Sequence, residues 1–166
     1  MEGPVRNVVL DTETTGLGPY DELVEIAIVD AGSGAVLYNS LVMPDGCIPA
    51  GASAVHGLDR KRLEEMNAKR WPVHHAAVCR ILASASVVYA YNAEFDRRLM
   101  AQTAGRYGLE LPATDWRCIM LAYARGRRRI RLSQACRSEG IPVSHAHRAL
   151  ADAEMARELL LRTESS

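Results

Sequence analysis

Aromatic side chains are scarce in this sequence: one Phe, two Trp and six Tyr make up 5% of the chain. So few rings exclude a long groove in which successive bases of a single strand stack on aromatic side chains. Lysine is scarcer still, two against 18 arginines, so each single arginine means less than it would in a balanced composition. No Cys-X-X-Cys spacing occurs. Cys47, Cys79, Cys118 and Cys136 stand at least 18 residues apart, which argues against a zinc ribbon or a thioredoxin-type motif. They read as free thiols in a reducing compartment, packed as small hydrophobes. No basic-then-apolar leader opens the sequence. The longest uncharged stretches, such as Ile81–Ala93, fall short of the about 20 apolar residues a membrane helix needs. The expectation is a cytoplasmic protein with no membrane association. Net charge is also missing, with 20 basic and 20 acidic groups, which taken whole argues against a simple electrostatic binder of nucleic acid. The halves differ, however: residues 1–83 carry net −4 and residues 84–166 net +4.

What is present is an ordinary globular composition over 166 residues, 48% apolar, enough for one domain with a real core. Val5–Leu10 reads as a central buried strand, Leu23–Val29 as a second and Ala35–Met43 as a third. Gly32-Ser-Gly34 makes the hairpin turn between the last two. Ile48–Glu65 then carries two short helices split near Gly57. Pro72 sits in the first turn of a helix that runs to about Ala83. Ser86–Tyr91 is a fourth strand and Ala93–Ala104 a helix, Trp116–Ala124 a strand passing into a helix, and Leu132–Glu139 and Ala149–Arg162 two more helices. Strands first, then strands alternating with helices, predict an α/β mixed sheet with helices on its faces.

Four carboxylates stand where a core does not want them. Side chains alternate along a strand, so Val9, Asp11 and Glu13 share one face, and two acids end a strand that is otherwise apolar. Asp96 shares a helical stripe with Leu99, Met100 and Thr103, and Asp152 shares one with Ala149, Ala153, Ala156, Leu159 and Leu160. Any one such acid reads equally well as a cap or a salt-bridge partner. Four in one small domain, with His147 just before Asp152, favour a bound cation. Unpaired buried carboxylates are costly and like charges raise the cost. Oxygen ligands suit Mg²⁺ or Mn²⁺ better than zinc. Several carboxylates plus a substrate phosphate make up the usual two-metal site for displacement at phosphorus.

Three motifs carry a resemblance. DTETTGL at Asp11–Leu17, YNAEFD at Tyr91–Asp96 and HRALADA at His147–Ala153 resemble the three motifs of the DEDDh-type, or DnaQ-like, 3′–5′ exonucleases. That family includes the proofreading subunit of bacterial replicative polymerase, RNase T, oligoribonuclease and small stand-alone DNA exonucleases. The likeness covers about residues 7–160 of a single exonuclease domain spanning 1–166. It implies an RNase H-like fold with a five-stranded mixed sheet. It also implies that Asp11, Glu13, Asp96 and Asp152 hold two divalent cations, Mg²⁺ or Mn²⁺, with Asp11 bridging them. His147 is then the general base, and nucleoside 5′-monophosphates leave from the 3′ end. Imidazole suits that role because it ordinarily titrates near neutral pH. One departure is visible: many relatives have His where Tyr91 stands, which bears on substrate contacts and not on the metal ligands.

Substrate contacts follow from the same resemblance. Thr14, Thr15 and Gly16 offer backbone to the terminal nucleotide, and Leu17 resembles a wedge against the last base. Phe95, the single Phe, is a candidate stacking platform, with core packing as its rival. His56 is a candidate contact or a satisfied core histidine. Asn92 holds the turn before Asp96 or reaches the 3′-hydroxyl. Glu25, another acid in an apolar strand, is expected to bond nearby backbone and not metal. Arg125–Arg131 places five arginines in seven residues, and Arg127, Arg128 and Arg129 are assigned to the nucleic-acid backbone. The partner expected is a nucleic-acid 3′ end, single-stranded or frayed, DNA or RNA. A polymerase partner and a homodimer stay open, although no extra segment for polymerase contact follows the last helix.

Overall fold

The computed structural model describes residues 6–165, so Val5, placed at the start of the first strand, lies outside the described residues. The strands are β1 (Arg6–Thr14), β2 (Leu23–Asp30), β3 (Val36–Leu41), β4 (Ala85–Ala90) and β5 (Asp115–Cys118). They form one five-stranded sheet in the order β3-β2-β1-β4-β5. β2 pairs antiparallel with β1 and β3, while β4 pairs parallel with β1 and β5. This mixed sheet with helices is the RNase H-like architecture expected from the motifs. The first strand is longer than its apolar run. Asp11–Thr14 stay in the ladder opposite Ala27–Leu23, because β2 supplies backbone partners beyond the last apolar residue.

Alternation sends β1 into two cores. Val8 and Leu10 pack with α3 (Trp71–Ser84) and α4 (Ala93–Gly105) on one face. Val9 packs on the other face with α5 (Ile119–Ala124), α6 (Leu132–Ser138) and α7 (Ala149–Glu164). Each fully buried aliphatic side chain contributes about 1.5–3 kcal/mol, so a one-residue slip of this strand is strongly disfavoured. The small residues Ala149, Ala153 and Ala156 let α7 lie close against β1 and β2. Between β3 and α3, α1 (Ala50–His56) and α2 (Arg60–Glu65) are separated by Gly57, whose φ of 73° ends α1 in the left-handed conformation. No helix among the described residues is long and apolar enough to cross a membrane.

Candidate active site

The carboxyl ends of the parallel strands β1 and β4 open on the same side of the sheet, where the strand order reverses around β1. Two helix N-termini meet them there. Asp11 and Glu13 come from β1, Asp96 from the first turn of α4, and Asp152 from the first turn of α7. The structure thus brings together all four acids singled out in the sequence. Asp96 is buried and accepts a 2.7 Å hydrogen bond from the Thr12 hydroxyl. Asp152 accepts the His147 backbone N–H, at 3.2 Å to each oxygen. Glu13, His147 and Asp152 each offer a ligand atom, all within 4.8 Å of one another.

Burial dominates the electrostatics. It pushes the Glu13 carboxyl up to about 8, helped by repulsion from Asp152, Glu25 and Asp96 and opposed by Arg148. It pushes Asp96 up to about 7 against the Thr12 hydrogen bond. Asp11 is displaced well upward by burial, then by repulsion from Asp96, Asp152 and Glu13. Asp152 is raised by burial, against the His147 N–H bond. Asp11 Oδ2 is shielded from solvent and has no partner. A native fold seldom leaves such an atom orphaned, and a divalent cation would satisfy it and offset the repulsion. The oxygen-rich donor set fits such an ion.

These shifts give a first expected outcome. Carboxyls whose native pKa is raised stabilise the fold while protonated and lose that contribution as pH climbs through the native values. The metal-free protein should therefore lose stability progressively from about pH 4, where such carboxyls ordinarily begin to ionise, up to about pH 8, as Asp96 and Glu13 pass their raised native values of about 7 and about 8. Millimolar Mn²⁺ should restore about 5–10 °C of melting temperature at the upper end and little at the lower. Scanning calorimetry with and without the ion checks this; an equal increment at both ends would contradict it.

An open cleft of about 770 Å³ reaches the cluster at Asp152 and is lined by Leu17, Asn92, Phe95 and His147 among others. Leu17 is 78% exposed at the tip of the β1–β2 loop. That loop is built from its carbonyls upward: Arg98 binds the Leu17 and Gly18 carbonyls, and Gln102 those of Gly18 and Asp21. Asp21 accepts from the Thr15 hydroxyl and the Gly18 N–H, both at 2.7 Å. Gly16 is needed at this turn, because an added Cβ would stand 2.6 Å from Asp21 Oδ2. Thr14 and Thr15 are buried at the base of the loop, and Thr14 donates to the Gly16 carbonyl. Phe95 packs on the α3–α4 core, and the Arg98 guanidinium lies 5.5 Å from its ring centre. Asn92 precedes α4 with no side-chain cap bond and lines the cleft, while its carbonyl receives the Asp96 N–H.

Two assignments change. His56 is buried with both ring nitrogens engaged: Nδ1 accepts from Leu58 N–H, so Nε2 donates to the Thr14 carbonyl. It props the end of β1 from beneath and does not line the cleft. Within the arginine run, Arg128, Arg129 and Arg131 line the cleft, but Arg127 turns away and donates to the Ala124 carbonyl. Arg125 binds the Thr163 carbonyl and Arg162 that of Glu139, so these three guanidiniums serve carbonyls at helix C-termini. The run is divided by an arginine's need to satisfy helix ends, which composition does not reveal. Tyr91, the departure from the family motif, is buried and donates to the Ile130 carbonyl at 2.6 Å. It fastens the arginine loop to the edge of the cleft.

Residues 8–160 match the exonuclease family RNase T. The chain belongs to this family of exonucleases. An uncharacterised exonuclease of Escherichia phage 186 is 38% identical over 164 residues, covering 89% of this chain and 82% of the phage protein. The PolC-type DNA polymerase III of Thermotoga maritima is 31% identical over 169 residues, covering 96% of this chain but only 12% of that longer protein. Among solved structures, Exonuclease X in complex with 5′-overhanging duplex DNA superposes with a TM-score of 0.73 at 25% identity, covering 96% of this chain and 91% of that one. The chain is therefore an exonuclease acting on nucleic acid.

Sequence reasoning missed Arg148, Arg98, Arg131 and Asp21. Only Arg148 left a signal: Glu25, an acid in an apolar strand, calls for a counter-charge, and Arg148 binds it.

Proposed function

We propose that this exonuclease removes nucleotides one at a time from the 3′ end of DNA and releases nucleoside 5′-monophosphates. The observation that carries the reading is Asp11, whose unpartnered, shielded oxygen lies among three further carboxylates, of which Asp152 lines an open cleft together with His147. Asp11, Glu13, Asp96 and Asp152 would hold two divalent cations, Mg²⁺ or Mn²⁺. When bound, these supply charge stabilisation at the phosphodiester and make water a better nucleophile at neutral pH. His147, exposed at the rim, takes the proton of the attacking water. The water oxygen joins phosphorus as the bond to the upstream 3′-oxygen breaks, which leaves a strand one nucleotide shorter with a free 3′-hydroxyl. Leu17 separates the terminal base from its neighbour, and Phe95 with Arg98 offers a platform for the next one. A DNA substrate with a frayed or recessed 3′ end is supported by the DNA-bound relative. The test is incubation of 5′-labelled DNA and of a short RNA with Mg²⁺ or Mn²⁺, beside an Asp11→Ala control. Absence of metal-dependent monophosphate release from both would sink the reading.

The match to a domain of a replicative polymerase supports a second reading, a proofreading-type exonuclease that works beside a polymerase. Neither reading needs the phosphate grip to be base-specific. Replacing Arg128, Arg129 and Arg131 together with Ala should weaken binding of long substrates and reduce the slope of log affinity against log salt by roughly 2–3. Arg127→Ala should leave the slope unchanged. Fluorescence anisotropy at several salt concentrations reads both, and an unchanged slope in the triple variant would refute the assignment.

A further inference from the structure

One charged pair beside the cluster belongs neither to the cation ligands nor to the phosphate grip. Glu25 lies on β2 directly opposite Glu13 of β1, a fifth carboxylate beside four, and only 3% exposed. Its two oxygens are fully employed. Arg148 donates to both, with Nη2 at 2.8 Å from Oε1 and Nε at 3.0 Å from Oε2, and Ala149 N–H donates to Oε2 at 3.0 Å. Arg148 is the residue that precedes α7, and its side chain caps no N–H of that helix. Glu25, from another strand, thus caps α7 and grips the residue before it. The next residue back is His147, held at φ 67°, a left-handed conformation that a non-glycine residue rarely adopts. Its own N–H is tied to Asp152. The imidazole therefore rises from a strained residue pinned on both sides, by Asp152 through its N–H and by Glu25 through its two successors. Loss of the pin would let the backbone relax and turn the ring.

We propose that Glu25 and Arg148 are a positioning pair that holds His147 in its working orientation over the carboxylate cluster. The inference rests on the reading of His147 as the base. The pairing also explains how a fifth acid is tolerated there: the guanidinium neutralises it and occupies its lone pairs, so it serves as an anchor and not as a ligand.

The test is a double-mutant cycle on the full chain. Glu25→Gln keeps an acceptor for Ala149 N–H but loses the charge pairing. Arg148→Lys keeps the charge but loses the fork. Each should lower kcat by on the order of 10- to 100-fold with KM within about twofold, since a small misplacement of a catalytic group costs rate and not binding. In a His147→Ala background neither substitution should reduce the residual rate further, because their effect runs through the imidazole. A second readout needs no turnover: the His147 ring resonances should shift and the Ala149 amide should exchange faster in Glu25→Gln, with other core amides unchanged. If Glu25→Gln does not fold, the half-exposed Arg148 keeps the test open through Arg148→Lys. Equal losses in the presence and absence of His147, or wild-type kcat in both variants, would overturn the pair's role while leaving the exonuclease reading standing. An inactive wild-type chain would overturn that reading and this inference with it.

Discussion

Asp11→Asn is expected to lower exonuclease activity by on the order of a thousandfold or more while making the metal-free protein more stable near pH 8. The two effects have one cause. Asp11 is held well above the usual carboxylate range by burial and by four neighbouring acids, so its ionisation works against the fold. The amide keeps the shape, removes the repulsion and can donate to the carboxylates beside it. It also removes a charge from the donor set that neutralises divalent cations, so both the rate and the Mn²⁺-dependent rise in melting temperature should vanish together. Residual activity measured by monophosphate release, set beside melting curves at pH 8, checks the pair. Full activity would remove Asp11 from the centre, and a fall in metal-free stability would show its role to be structural.

The opposite signs of those effects explain why the site was legible in the sequence. Core positions that weaken the fold stand out against an apolar background, and Asp11, Glu13, Asp96 and Asp152 each interrupt a regular apolar pattern. The order and type of the strands and helices followed from the same periodicity, and Gly57 and Pro72 marked helix ends by their backbone constraints, but β1 runs on to Thr14 past its apolar run. What was not legible depends on contacts between distant segments. Nothing local tells that His56 reaches the Thr14 carbonyl, 42 positions away, or that Arg127 bends back to a helix end while Arg131 does not. Glu25 marks the boundary. Its alternation placed it on an inner face, but its partners, Arg148 and Ala149, lie 123 and 124 residues on.

Removal of the imidazole is the second large effect. His147→Ala should reduce kcat by about 10²–10⁴-fold, the usual range for loss of a general base. The metal-induced rise in melting temperature should persist, because the carboxylates are intact. The same measurement separates two roles that geometry alone allows, since His147 lies with Glu13 and Asp152 in a group able to hold a metal ion. Loss of the metal-induced rise would make it a ligand. The backbone adds a control. At φ 67° glycine is unstrained and alanine is not, so His147→Gly should be more stable than His147→Ala by about 1 kcal/mol. The glycine variant should be no more active than the alanine variant, because the missing group is the ring.

The most direct test of the account is the direction of digestion. A DNA oligonucleotide labelled at its 5′ end, with Mg²⁺ or Mn²⁺, should give a ladder of labelled products shortened in single-nucleotide steps. A phosphorothioate linkage at the 3′ terminus should slow the ladder's first step, and the same linkage at the 5′ terminus should not. Direct release of the 5′ label as a mononucleotide from an otherwise full-length strand, insensitive to the 3′ block, would contradict the proposed assignment of the cleft.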